Sequence, residues 1–230
     1  MQPIYIQDIY VVIHRNLGIS LDNKFVMKTE ENQESPRKKA RTGNNRPNDV
    51  DRLPDEKRFW LMKAEPESRM RYLTETVKFS IDDLKEISKT ENISPWDGVR
   101  NAEACITMRY KMKVGDLAFF YHSNCEVPGI AGIMEICKEG YPDCNKVNTA
   151  WDPSEPYYDS RSTKEKPRWY MVDVKYLRHF SRFIPLRELK KYKEGPLKNM
   201  ALLRRPQLSV QPVTVDEWNF IMGLEKETTN

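Results

Sequence analysis

Three short stretches set aromatic rings beside hydrogen-bonding side chains. They are Trp60 with Lys63 and Glu65, Trp96-Asp97-Gly98-Val99-Arg100-Asn101, and Tyr121-His122-Ser123. Aromatics next to donors and acceptors at strand and helix ends suit a pocket for a flat polar ring. A nucleobase taken out of its stack is such a ring, read by stacking and by hydrogen bonds along its edge. Each residue alone also has an ordinary structural role. Trp60 and Trp96 would be core residues, Lys63 and Glu65 a surface pair, and Asp97 a helix cap.

Hydrolytic and nucleotide-handling chemistry finds little support. The chain contains no G-x-S-x-G, G-x-x-x-x-G-K-S/T, G-x-G-x-x-G or H-E-x-x-H. His122 and Ser123 are adjacent, so on a strand they point to opposite faces and cannot act as a nucleophile pair. His122-x-x-Cys125, with Cys137 and Cys144 further on, lacks the tight paired spacing of a zinc site. With Cys105 these thiols read as small reduced hydrophobes of a cytosolic or nuclear protein. No metal and no cofactor are expected.

Basic charge is concentrated in one place. Residues 186–205 contain Arg187, Lys190, Lys191, Lys193, Lys198, Arg204 and Arg205 against Glu188 and Glu194, a net of +5, while the whole chain carries +4. Phosphate contact and a solvated helix face both fit that segment.

These side chains need elements to hold them. Phe59-Trp60-Leu61-Met62 suits a buried strand that ends before Pro66. Ser80 caps a helix, with Asp83 three residues on. Ala102, Cys105, Ile106, Met108 and Met112 give helical spacing over 99–112. Gly115-Asp116 turns into the strand Leu117–Tyr121, and Pro128-Gly129 turns into Ile130–Cys137. Residues 138–168, with four prolines, read as a long loop. A strand over 169–180, a short helix from Pro185 to Lys191 and a strand at Leu208-Ser209-Val210 follow. Thr214-Val215-Asp216-Glu217 is a capping box for a last helix that buries Trp218, Ile221 and Met222. Turns rather than helical crossovers join most strands, so the reading is α+β with a mixed, closed sheet.

The 230 residues include 39% hydrophobic and 31% charged side chains, a polar balance that points to a solvated tail. Residues 28–58 are that tail: Val50 and Leu53 are their only aliphatic side chains larger than alanine, too few to offset ordering entropy. Within it Arg37, Lys38, Lys39 and Arg41 fit a short nuclear-import signal. Residues 1–13 are apolar but lack a basic n-region and a cleavage site, and Asp8 interrupts them, so they are not read as a signal peptide. Met27 followed by a charged stretch reads as the natural start, with the preceding residues a non-native extension. No apolar run approaches the roughly 20 residues that cross a bilayer. The domain is then 59–224, with a C-terminal tail at 225–230.

Trp60-Leu61-Met62-Lys63-Ala64-Glu65-Pro66, Trp96 to Asn101, Gly115-Asp116 with Phe120-Tyr121-His122-Ser123, and Pro128-Gly129-Ile130-Ala131-Gly132 resemble the successive motifs of EVE domains. Tyr141-Pro142-Asp143, Trp169 to Val174 and Leu202 to Thr214 continue the likeness, which covers essentially all of 59–224. The resemblance implies a PUA-like fold, a small mixed β-barrel with flanking helices, related to YTH and ASCH domains. It implies a nuclear reader of modified cytosine in DNA, above all 5-hydroxymethylcytosine; the chain is further expected to be monomeric, to prefer DNA to RNA and to touch no membrane. The alternatives are an RNA reader and an enzyme acting on a modified nucleotide.

Carried onto this sequence, the base pocket draws on Trp60, Lys63, Glu65, Trp96, Arg100, Asn101, Tyr121, His122 and Ser123. An aromatic would stack on the base, Asn101 or Ser123 would read its edge, and Arg100 and Lys63 would hold a phosphate or polar substituent. Lys198, Arg204 and Arg205 would follow the backbone. Ala64 stands where the family has serine, which removes one hydroxyl from the site.

Overall fold

The computed structural model describes residues 57–67, 69–72, 75–143, 150–153 and 158–227. The expectations for residues 1–27, for most of the charged tail with Arg37, Lys38, Lys39 and Arg41, and for the last three residues lie outside this range.

Alternating side chains give the central strands two buried faces. In β1 (Phe59–Ala64) Trp60, Met62 and Ala64 enter one core, while Leu61 enters another. The parallel neighbour β5 (Leu117–His122) does the same, with Ala118 and Phe120 against Phe119 and Tyr121. Burial on both faces is why these strands are nearly continuous apolar runs. A hairpin of β2 (Arg69–Tyr72) and β3 (Glu75–Val77) stands apart from the main sheet and was not foreseen. With β4 (Ser94–Trp96), β6 (Gly129–Pro142), β7 (Tyr170–Pro185) and β8 (Val210–Val213), the main sheet runs β4-β7-β6-β5-β1-β8. Every pair but β1–β5 is antiparallel.

Helices cover both faces. On the first lie α1 (Ile81–Thr90) and α2 (Ala102–Ile106), which continues as a π-helical turn over Thr107–Lys111; they contribute Ile81, Leu84, Ala104 and Met108. On the second lie α3 (Leu186–Leu189) and α5 (Val215–Lys226), with Leu189, Trp218, Ile221 and Leu224, beside α4 (Ala201–Arg204) with Leu202. Both expected capping boxes are present: Ser80 with Asp83, and Thr214 with Glu217. The Trp218 indole is stacked between Phe119 at 4.0 Å and Phe59 at 4.4 Å. Full burial of such side chains contributes about 1.5–3 kcal/mol each.

The closed barrel expected from the sequence is corrected: the six-stranded sheet is open. β4 pairs with β7 and β8 pairs with β1, and among the described residues no ladder joins the two edges. The α2 segment packs against β7 and its π turn against both β7 and β8, so side chains fill the gap that strand pairing would have closed. Other boundaries move as well. β6 and β7 run past their expected ends, to Pro142 and Pro185, so the long loop starts later than 138. Four register shifts between them let such long strands bend. Gly132 lies at one of these shifts, where any Cβ would collide with the Arg178 carbonyl and come within 2.9 Å of the His179 Cα.

Candidate functional site

Lys63 is the most unusual side chain of the proposed pocket. It sits near the end of β1 with only 3% of its surface exposed. Its Nζ donates to the Pro206 carbonyl at 2.6 Å and lies 5.7 Å from the centre of the Tyr121 ring. No ion pair to Lys63 is present among the described residues, and burial pushes its ammonium down to about 8. Burial, then nearby Cys125, pushes the Tyr121 phenol well above its ordinary value. Glu65 is likewise buried, so Lys63 and Glu65 are not a surface pair. Ser123 closes this strand end. Its backbone N–H donates to the Ala64 carbonyl at 2.8 Å and its hydroxyl donates to the same oxygen at 3.1 Å.

Two further polar side chains are buried beside Lys63. The Lys63 N–H donates to the Ser209 carbonyl, and Gln211 follows on β8. Gln211 Nε2 donates to the carbonyls of Leu208 at 2.6 Å and Arg205 at 3.3 Å. Ser209 Oγ and Gln211 Oε1 have no partner among the described residues. Neither was selected from sequence; a lone Ser and Gln in an apolar strand give no signal until the fold places them beside a buried lysine.

The second stretch forms a separate knot. Gly98, at φ +70, turns the chain out of β4. Arg100 Nη1 then donates to Asp143 Oδ2 at 2.5 Å, and the Gly98 N–H donates to the same oxygen at 3.3 Å. Asp143 is fully buried, and its N–H donates to the Trp169 carbonyl. The Arg100 guanidinium lies 5.6 Å from the Trp169 ring centre. Asn101 caps α2: its Oδ1 accepts from the N–H groups of Glu103 and Ala104, both at 3.0 Å. Asp143 lies in the Tyr141-Pro142-Asp143 motif, yet nothing local marks it as the partner of an arginine 43 residues away.

The aromatic candidates are placed in the core. Trp60 donates its indole N–H to Asp116 Oδ2 at 3.0 Å, three residues before Lys63 and on the other face of β1. Trp96 has no exposed surface and meets Phe79 and Phe120 edge-on at 5.7 and 5.4 Å. The structure therefore does not bring Trp60 to Lys63. His122 shares that aromatic face, 5.5 Å from Phe120. Its Nε2 accepts the Ile81 N–H at 3.2 Å, one of the donors a helix start leaves unpaired. Burial pushes the imidazole down to about 4, so the ring is neutral and free to accept.

The basic segment meets this region through the chain after α4. Pro206, whose carbonyl holds Lys63, directly follows Arg205. Lys198, Arg204 and Arg205 are exposed. Arg204 donates to Asn199 Oδ1 at 3.3 Å, whereas Arg205 is paired to Glu103.

The result is an α/β domain with polar side chains buried at the ends of a parallel strand pair. The EVE domain model matches residues 58–224, and the chain belongs to the EVE domain family. Thymocyte nuclear protein 1 of Homo sapiens is 49% identical over 174 residues, covering 73% of this chain and 74% of that protein. The Danio rerio protein of that name is 52% identical over 174 residues, covering 73% and 72%. Among solved structures, human THYN1 protein in complex with DNA containing 5-methylcytosine superposes with a TM-score of 0.69 at 48% identity, covering 75% of this chain and 99% of that one. A Pseudomonas syringae protein superposes with a TM-score of 0.60 at 39% identity, covering 73% and 99%.

Proposed function

We propose that this chain is a nuclear, monomeric, non-catalytic reader of modified cytosine in DNA, with 5-hydroxymethylcytosine its foremost ligand. The observation that carries this reading is the likeness, at 48% identity, to human THYN1 protein bound to 5-methylcytosine DNA. The name of the animal relatives supports the nuclear assignment. In this reading the base lies where β1 and β5 end, near Lys63, Glu65, Tyr121 and Ser123, with the Arg100–Asn101 loop contributing its edge contacts. Lys63 has ammonium donors beyond the one given to Pro206, and these suit a polar substituent on the ring. Asn101 uses its oxygen as the α2 cap and offers its amide hydrogens to the base. Arg100, held by Asp143, positions that loop. Trp60, Trp96 and His122 pack in the core on the other face of these strands and hold the strand ends in place rather than line the pocket.

The test is a binding panel at one fixed salt concentration. It compares duplexes carrying cytosine, 5-methylcytosine or 5-hydroxymethylcytosine at a single position with matched RNA. Tightest binding to 5-hydroxymethylcytosine DNA is expected. Equal affinity for all duplexes would overturn base reading, and tighter binding to RNA would replace DNA as the ligand.

A further inference from the structure

Arg205 has an acidic partner already. Its guanidinium makes two parallel bonds to Glu103, Nη1 to Oε1 at 2.6 Å and Nη2 to Oε2 at 2.5 Å. Arginine takes a phosphate with the same fork. The pair is not sealed: the Arg205 side chain is 48% exposed and that of Glu103 is 53% exposed. Exposed pairs are weak and exchange readily.

Glu103 lies among cations from two separate parts of the chain. Arg205 follows α4, with exposed Arg204 beside it, and Lys111 ends the π turn. The Arg205 hydrogen bond above all, with the charges of Arg205 and Lys111, holds the Glu103 carboxyl below its usual range. Two cations, Arg205 and Lys111, therefore act on one carboxylate on an open surface, and exposed Arg204 is next to Arg205 in the chain. A single acid cannot neutralise them, and a phosphate offers Arg205 the same two-pronged partner.

We propose that Lys111, Arg204 and Arg205 form one contact surface for a nucleic-acid phosphate backbone, and that a phosphate displaces the Glu103 carboxylate from Arg205 on binding. This rests on the chain being a nucleic-acid binder. It adds Lys111 to the surface and makes Glu103 an internal competitor that sets affinity without touching the base. If Glu103 were only a structural tie, its removal would loosen the Arg205 segment and weaken binding, the opposite sign.

The experiment is a double-mutant cycle on the full chain. Dissociation constants for a duplex with one 5-methylcytosine and for its unmodified twin are measured at several salt concentrations. The proteins are wild type, Glu103→Gln, Arg205→Gln and the double variant. Glu103→Gln is expected to tighten both duplexes about five-fold. Arg205→Gln is expected to weaken both and to lower the salt slope by about one. In the Arg205→Gln background, Glu103→Gln should change little. An equal gain in both backgrounds would show that Glu103 acts only through the general field, and weaker binding by Glu103→Gln would show a structural tie; either overturns the proposal. Wild-type protein that bound neither duplex would overturn the nucleic-acid reading itself, and this surface with it.

Discussion

Two arginine–carboxylate pairs flank the start of α2, and they differ in burial. Arg100–Asp143 is enclosed, with side chains 12% and 0% exposed, while Arg205–Glu103 is open, at 48% and 53%. Both are short, yet burial decides what each can do. Asp143 also takes the Gly98 amide, so removing it strips an arginine and a loop of their anchor. Glu103 can turn to water at little cost. The enclosed pair holds the loop in place, and the open one is available for exchange.

That contrast can be broken or sharpened by measurement. The largest effect should come from Asp143→Ala, which leaves Arg100 without its buried anion and should lower unfolding free energy by about 3–5 kcal/mol. Urea denaturation checks it; a loss under about 1 kcal/mol would put the enclosed pair in the same class as the open one. Lys63→Met comes next, with the opposite sign. The unfolded chain holds the Lys63 proton to about 10.5 and the folded chain only to about 8, so stability rises with pH between those values. Keeping that charge buried at pH 7 is unfavourable, and Lys63→Met should raise stability by about 2–3 kcal/mol while weakening binding of the modified base. A variant that was both less stable and fully competent in binding would contradict this.

His122 gives a smaller effect. Its folded value is depressed to about 4 from 6.5, so its contribution is present above pH 6.5 and is lost as pH falls through 6.5 toward 4. The full shift corresponds to about 3 kcal/mol, and because the ring is only half-buried and partly screened by solvent the expected drop over that window is about 1–2 kcal/mol. Denaturation at pH 7, 5.5 and 4.5 alongside His122→Gln isolates it, since the variant lacks that part of the slope. The smallest change belongs to the open pair. Glu103→Gln or Arg205→Gln should alter stability by less than about 1 kcal/mol, and a thermal shift as large as that of Asp143→Ala would erase the distinction.

Much of the frame was legible in the sequence, because local patterns control it. The caps at Ser80 and Thr214 stood three residues before Asp83 and Glu217, and both helices start there. The apolar runs at Phe59 and Leu117 became the paired central strands. The openness of the sheet was not legible and a closed barrel was expected, because closure depends on whether β4 and β8 meet, and the α2 segment with its π turn occupies the space between the edges. Nor was the length of β6 and β7, since register shifts carry them past residues that read as loop.

The candidate site divides along the same line. Lys63, Tyr121 and Ser123 were legible as polar or aromatic groups at strand ends. Asp143 and Glu103 were not, because their partners lie 43 and 102 residues away. By itself the sequence determined the apolar runs that become the central strands, where α1 and α5 begin and where basic charge is concentrated. These follow from side-chain alternation, capping and composition, which act over a few residues. Only the tertiary structure decided that Trp60 and Trp96 are core, that Lys63 is buried, that the sheet stays open and that one arginine is enclosed while another is exchangeable. Those outcomes depend on burial, and burial is set by residues far apart in the chain.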